Sequence, residues 1–502
     1  MTKQTMDRPS DRERAHTAVA ADALRRLTPP AYDRRAIVPG IVHLGLGGFH
    51  RAHMARYLHD LMLLDPSALT WGIRGVGLRE ADRPLLKALT DQDCLYTLVE
   101  RDGDDEQHVV IGAIVEAIDA SAGSTNLLAA IASPETRILS LTVTEHGYCL
   151  DRATKRLDLT HPQIVHDLAN PADPRSAIGV VVAGLAERRR KGLGGLTVLS
   201  CDNIQHNGDV LRRAVADFAD ASDPGLLAWI AQHASFPNAM VDRITPQPTA
   251  AAIQDFRDRT GIDDAASLVA EPFRQWVIED HFVAGRPALE RVGVQFVGDV
   301  APYERMKLRL LNASHLALSG PGQLIGLTGI DETIRHPLIR RYIIALMDRE
   351  TGPTLDPVPG VDLDAYKRSV IARFDNPAIP DTVARVNADA ALNYLLDPIR
   401  DRLAAGAPID LLGLGLAAWL RRVRGKDEAG RPIAVVHPLA AELRVRAIAG
   451  GGDPAPLLAM RSLFGDLGDD AGFVAIVGRW LTELYDGGVA RALARAEAEA
   501  LI

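Results

Sequence analysis

Cysteine is scarce. Cys94, Cys149 and Cys201 are the only three in 502 residues, too few and too scattered for a disulfide framework or a cysteine zinc site. A reducing cytoplasm is the expected compartment. Long apolar runs are missing too: AIGVVVAGLA and LLGLGLAAWL reach about half the length that crosses a bilayer. The opening residues, MTKQTMDRPSDRER, hold no apolar signal-peptide core. There is no excess of positive charge. The net charge of −9 weighs against nucleic acid or an anionic membrane as partner. The basic runs ERRRKG (187–192) and RRVRGK (421–426) read as solvated helix ends, where cations favour the helix dipole. No GxxxxGK[ST] occurs, which disfavours a P-loop enzyme, and no internal repeat or low-complexity segment is present.

The chain is too long for one compact core, so at least two domains are expected. Its first part alternates β-rich runs with helical patterns. The strand candidates are 40–47, 70–78, 95–100, 108–118, 137–145, 195–203 and 292–300. The helical candidates include 51–64, 176–192 and 208–219. Strands separated by helices imply an α/β domain with a mainly parallel sheet covered on both faces. From about residue 301 the pattern is amphipathic and helical with little strand alternation. The expected division is therefore a Rossmann-type domain over 1–300, with 1–30 a loose arm, and a mainly α-helical domain over 301–502.

The first strand runs into Gly45-Leu46-Gly47-Gly48-Phe49-His50 and then a helix. A glycine turn between strand and helix lets a backbone approach a pyrophosphate, so Gly45, Gly47, Gly48 and Phe49 are candidate dinucleotide contacts. The pattern departs from GxGxxG at His50. After the second strand come Arg79 and Glu80. An acidic side chain there suits the ribose hydroxyls of NAD, whereas Arg79 would suit a 2′-phosphate, and Glu80 makes NAD the preferred cofactor over NADP. His50 and His53 have a spacing open to metal ligation but no carboxylate or cysteine partner nearby. A polar loop and first helical turn is the favoured reading, with no metal expected.

YERMKLRLLNASHLALSG (303–320) reads as a buried helix carrying Lys307, Asn312 and His315 among leucines and alanines. An unpaired buried charge costs several kcal/mol, which weighs against Lys307 as filler. Three readings stand: a lysine snorkelling to solvent, an anion site, or a general base favoured by burial. In a regular α-helix the three residues fall within an arc of roughly 140°, with Lys307 and His315 about 12 Å apart along the axis. SCDNIQHNGDV places Asp202, Asn203 and His206 at the carboxyl end of a predicted strand, where open α/β sheets bind ligands. FPNAMVDRITP adds Asn238, Asp242 and Arg243. A nicotinamide site, a lysine and several amides suit hydride transfer between a secondary alcohol and a ketone.

These motifs, together with YDRRAIVPGIVHLGLGGFHRAH, GVGLREADR, TVTEHGYC, EPFRQWVIED, MKLRLLNASH and RFDNPAI, resemble the polyol-specific long-chain dehydrogenases nearly end to end. That family includes mannitol 2-dehydrogenase and fructuronate and tagaturonate reductases. The resemblance implies that Lys307 is the general base and that Asn312 and Asn203 hold the substrate oxygen. It implies that His315 orients substrate and lysine, and that Asp242 and Arg385 lie near the polyol chain. It further implies a Rossmann-type domain and a helical domain with the active site between them. Two segments depart from the family. NADAALNYLLDP (387–398) replaces a D-G-S-x-K/R-L-P run, with Asn393 where a basic residue is expected, and LALSGPGQLIG (316–326) replaces an aromatic stretch.

The expected activity is NAD-dependent interconversion of a linear polyol and its ketose, D-mannitol and D-fructose being the reference pair. The alternative is a hexuronate reductase acting on fructuronate and mannonate. A reading of another class is an NAD-binding sensor without turnover. A monomer or small homo-oligomer is expected.

Overall fold

The computed structural model describes residues 27–151 and 154–502. Most of the expected N-terminal arm lies outside the described residues. The chain packs into two compact units, one ending at Val300 and one running from Ala301 to Ile502.

The first unit is built on β1 (Ile41–Leu44), β2 (Ile73–Gly77), β3 (Tyr96–Asp102), β4 (Asp105–Ile111), β5 (Ile114–Asp119), β6 (Ile138–Leu141), β7 (Leu196–Ser200), β8 (Ala234–Ser235), β9 (Ala239–Asp242), β10 (Leu268–Ala270), β11 (Gln275–Glu279) and β12 (Gln295–Val297). Six of them form one sheet in the order β5-β2-β1-β6-β7-β8, parallel throughout. All four residues of β1 and of β6 are buried. Ile41, Ile73 and Ile138 feed the core on one face, Val42, Val76 and Leu139 the core on the other. Burial on both faces is why these strands read as continuous apolar runs. The unit is Rossmann-like, as expected.

The run 108–118 is not one strand. It breaks at Gly112-Ala113 and changes sheets: β4 pairs antiparallel with β3, and β5 joins the parallel sheet beside β2. Segment 137–145 is strand only to Leu141, because the Val143 and Thr144 amides turn to the Asp202 carboxylate at 3.2 and 2.7 Å. Two small sheets were not anticipated, β10-β3-β4 and β12-β11-β9. In the second, FPNAMVDRITP and EPFRQWVIED supply the antiparallel pair β9 and β11, with Asp242 opposite Gln275.

The second unit has no named strand among its described residues and is helical. Its centre is the helix Asp410–Arg422, buried from Leu411 onward. Small residues let the helix Ala313–Leu324 approach it closely: a Cβ on Gly320 would meet the Ala418 Cβ at 3.2 Å, and one on Gly415 the Ala317 Cβ at 3.4 Å. LALSGPGQLIG, where the family tends to aromatics, thus serves tight helix packing. The basic run 421–426 departs from the solvated end expected of it, since Arg421 and Arg422 are buried. In the first unit Arg188 is buried as well, donating to the carbonyls of Ile131, Ser133 and Thr136 at 2.8, 3.1 and 3.2 Å. The Arg188 guanidinium thus collects three carbonyls near the end of its helix.

Candidate active site

The glycine loop is shaped by sterics. Gly45 has φ +95°, and a Cβ there would lie 2.1 Å from the Thr142 carbonyl oxygen, so only glycine fits. The Gly45 and Leu46 amides donate to the Val76 carbonyl at 2.9 and 3.2 Å, which holds the loop over the ends of β1, β2 and β6. Space beside Gly47 is open, the nearest atom to a Cβ being the Gly45 oxygen at 3.9 Å. The Gly45–Gly47 turn borders a cleft of about 350 Å³ together with Leu78, Arg79, Asp82, Thr142–Thr144, His146, Gly147 and Arg175–Ala177. The cleft lies beyond the carboxyl ends of the strands, where open α/β sheets take ligands.

Not every expected contact lines it. Gly48 packs against Pro248. Phe49 stacks on His53, with ring centroids 4.9 Å apart. Glu80 points away, its side chain 83% exposed and 3.9 Å from Arg83. The acidic residue at the cleft is instead Asp82. It ties Arg79 down, accepting from the Arg79 amide at 3.0 Å and from its guanidinium at 2.8 Å. That hydrogen bond raises the Arg79 pKa above its ordinary value.

His50 and His53 are not a polar surface turn. Both are buried, and His50 stacks on His43 with centroids 3.4 Å apart. His43 bonds to Ser140 Oγ at 2.8 Å and Thr142 Oγ1 at 2.9 Å, and His53 to the Gln275 carbonyl at 2.9 Å. Burial pushes the His43 and His53 imidazoles down to about 3 and His50 well below its usual value, so all three are neutral core groups. Among the described residues no three His, Cys, Asp or Glu side chains gather as a metal would require.

At the carboxyl end of β7, Asp202 is a fastener. It accepts from Tyr148 Oη at 2.9 Å as well as from the two amides already named, and burial raises its pKa. The next residue, Asn203, is exposed. Asp242, at the end of β9, is buried. Its neighbour Arg243 is structural, with its guanidinium on the Glu271 carbonyl at 2.8 and 2.6 Å and on the Glu100 carboxylate.

In the second unit the expected continuous helix is interrupted. Ala301–Lys307 is α-helical, Leu308–Asn312 is a π-turn and Ala313–Leu324 resumes as α-helix. The Ala313 amide donates to the Leu308 carbonyl, five residues back. The extra residue in this turn falls between Lys307 and His315, so the angular relation drawn for a regular helix does not hold. Such insertions recur at functional sites. Lys307 is buried, and Asn312 and His315 are half-buried. Asn312 Oδ1 has no hydrogen-bond partner among the described residues.

His315 packs on the Phe374 ring at 4.7 Å, and its Nε2 lies 3.5 Å from Asp381 Oδ2. Arg385 grips the same carboxylate bidentately, Nε and a terminal nitrogen each 2.6 Å from an oxygen. Burial raises the Asp381 pKa, but hydrogen bonds from Arg385 and the charge of His315 outweigh it and hold the carboxyl below its ordinary range. Sequence reasoning missed Asp381: an acid four residues before Arg385 in DTVAR marks no site by itself, and its burial emerges only in the fold. The helix Val383–Asp389 is pinned by Asn387, which donates to the Ser319 carbonyl at 3.0 Å and Gln323 Oε1 at 3.1 Å. Asn393, the first residue of the helix Asn393–Ala404, is exposed.

Residues 39–291 match the model of the mannitol dehydrogenase Rossmann domain and 299–485 that of the mannitol dehydrogenase C-terminal domain. The chain is 43% identical to D-mannonate oxidoreductase of Escherichia coli K12, over 93% of this chain and 97% of that one. It is 41% identical to mannitol 2-dehydrogenase of Aspergillus fumigatus, over 96% and 98%. Among solved structures it is similar to a ternary complex of Pseudomonas fluorescens mannitol 2-dehydrogenase with NAD and D-mannitol, at TM-score 0.85 and 42% identity, covering 95% of this chain and 99% of that one. Two domain models in sequence, matched across most of the chain, make it a member of the mannitol dehydrogenase family.

Proposed function

We propose that this chain is an NAD-dependent polyol dehydrogenase that interconverts a linear polyol and its ketose, with D-mannitol and D-fructose as the reference pair. It is an oxidoreductase acting on a secondary CH–OH group. The observation that carries the reading is similarity over nearly the whole chain to an enzyme solved with NAD and D-mannitol.

The first unit offers a cradle suited to a dinucleotide. The turn at Gly45 admits no side chain, the space beside Gly47 is open, and Arg175 stands at the rim. Arg79, the arginine that borders the cleft after β2, is engaged by Asp82 rather than held open for a 2′-phosphate, which favours NAD over NADP. Bound there, NAD supplies the hydride acceptor.

The chain's own residues supply the rest. Lys307 takes the hydroxyl proton as the alcohol is oxidised and returns it in reduction. Asn312, on the π-turn, donates its amide N–H to the substrate oxygen and stabilises charge developing there. His315, held between Phe374 and Asp381, orients substrate and lysine. Asn203 and Asp242 are assigned substrate contacts by their places in the family's motifs, and Arg385 lines the polyol chain.

A second reading, hexuronate reduction, is favoured by the 43% identity to D-mannonate oxidoreductase. The two part on substrate. Absorbance at 340 nm across fructose, mannitol, arabinitol, sorbitol, xylitol, fructuronate and tagaturonate, with NAD(H) and NADP(H), decides between them. Turnover of fructose and mannitol with NAD(H) is expected. Turnover of uronates alone would overturn the polyol reading, and silence with NADH still bound would point to a sensor. Among the described residues no helix is long and apolar enough to cross a membrane.

A further inference from the structure

The wall beside His315 poses a charge question that the proposed function leaves open. A substrate carboxylate calls for an uncommitted cation, ideally a guanidinium presenting two parallel N–H donors. The candidate there is Arg385, and its fork is already used. Both of its good donors end on Asp381 at 2.6 Å, and its remaining terminal nitrogen faces Asp389 at 3.4 Å. Two aspartates thus surround one arginine. Asp381 is 93% buried and so cannot swing away to release its partner without exposing the pocket that holds it. At Asn393 the side chain is an uncharged amide.

We propose that Asp381 is a specificity-determining residue: by saturating Arg385 it denies a substrate carboxylate that guanidinium fork, so the site takes an uncharged polyol or ketose and turns away a hexuronate. The proposal rests on the polyol dehydrogenase reading. Hydroxyls both donate and accept, and they fit a paired Asp–Arg surface at little cost. A carboxylate would meet Asp381 and Asp389 and find no open fork. Specificity of this kind comes from the repulsive element as much as from the attractive one.

The test is the ratio of kcat/KM for fructuronate to that for fructose, with NADH. A ratio is insensitive to the fraction of active protein, so a merely structural loss does not move it. In Asp381→Asn, Arg385 keeps its charge and loses its bidentate partner, with only Asp389 left at 3.4 Å, and the ratio should rise at least about tenfold, the scale of one charge-assisted hydrogen bond. Adding Arg385→Ala should abolish that rise, and Asp381→Glu should retain the wild-type ratio. Arg385→Gln alone leaves Asp381 uncompensated and should lower the ratio; this keeps the claim testable if Asp381→Asn does not fold. A ratio unchanged within about twofold in folded Asp381→Asn or folded Arg385→Gln would overturn the proposal, as would a wild-type enzyme that prefers fructuronate. Wild-type protein that binds NADH but reduces neither substrate would instead overturn the underlying function, and that control comes first.

Discussion

Gly45 and Asp82 show how single residues define the cleft of the first unit. A methyl group at Gly45 has no place to go but into the Thr142 carbonyl, 2.1 Å away, and φ of +95° adds backbone strain. Gly45→Ala should therefore lose about 2–3 kcal/mol in chemical denaturation and weaken NADH binding in a fluorescence titration. A variant with wild-type stability and affinity would mean that the loop relaxes freely. Asp82 acts through charge. Asp82→Asn releases Arg79 and should raise kcat/KM with NADPH relative to NADH roughly tenfold, as expected for one gained guanidinium–phosphate contact. An unchanged ratio would place the 2′ position away from Arg79. The sequence located this edge of the cleft and singled out Glu80, whereas Asp82, two residues on, is the acid that borders it. Glu80 and Asp82 both follow β2, and only the fold tells which of them turns inward. His50 was hidden for a different reason: a histidine in a glycine-rich loop reads as polar, and only the packing reveals its ring against His43.

At the scale of elements, the π-turn Leu308–Asn312 has a counterpart in Met347–Thr351. The second positions Glu350, whose carboxylate accepts from the Leu411 and Leu412 amides at 2.9 and 2.7 Å, in the first turn of the central helix. Burial pushes this carboxyl up to about 7, even though the hydrogen bonds pull it down. The folded unit therefore holds a proton that the unfolded chain releases near 4.5. The resulting stability is full below pH 4.5 and is lost as pH rises to about 7, on the order of 3 kcal/mol in all. The buried neutral histidines of the first unit contribute with the opposite sign, so the Glu350 contribution is read as a difference: between pH 4.5 and 7.5 the wild-type denaturation midpoint should lose ground to that of Glu350→Gln as pH rises. An equal slope in both would refute the assignment. Parallel strands and long amphipathic helices were legible because burial on both faces, or on one stripe, leaves a period in the sequence. Neither π-turn was legible, since an inserted residue keeps helical composition and changes only the hydrogen-bond register. The strands β8–β11 are two to five residues long and pair far along the chain, so no local pattern marked them.

For the molecule as a whole, the division of labour follows the two units. The first supplies a parallel sheet whose strand ends border a glycine-shaped cleft. The second supplies a buried helical scaffold that carries Lys307, Asn312, His315 and the Asp381–Arg385 pair. The N-terminal motifs announced their unit through glycine placement and strand–helix alternation. Lysine, asparagine and histidine on an apolar helix announced the other, because such groups are costly to bury without a use. Asp381 escaped because a carboxylate four residues before an arginine is ordinary on any helix surface, and its burial appears only in three dimensions. The central claim is that Lys307 moves the proton in an NAD-linked reaction of a polyol. The most direct test is the loss of NADH absorbance at 340 nm with fructose, comparing wild type with Lys307→Ala at matched NADH occupancy and checked melting temperature. The account predicts steady turnover by wild type, and a fall in kcat of about 10²-fold or more in the variant with NADH binding and fold intact. Near-normal turnover by well-folded Lys307→Ala would contradict it.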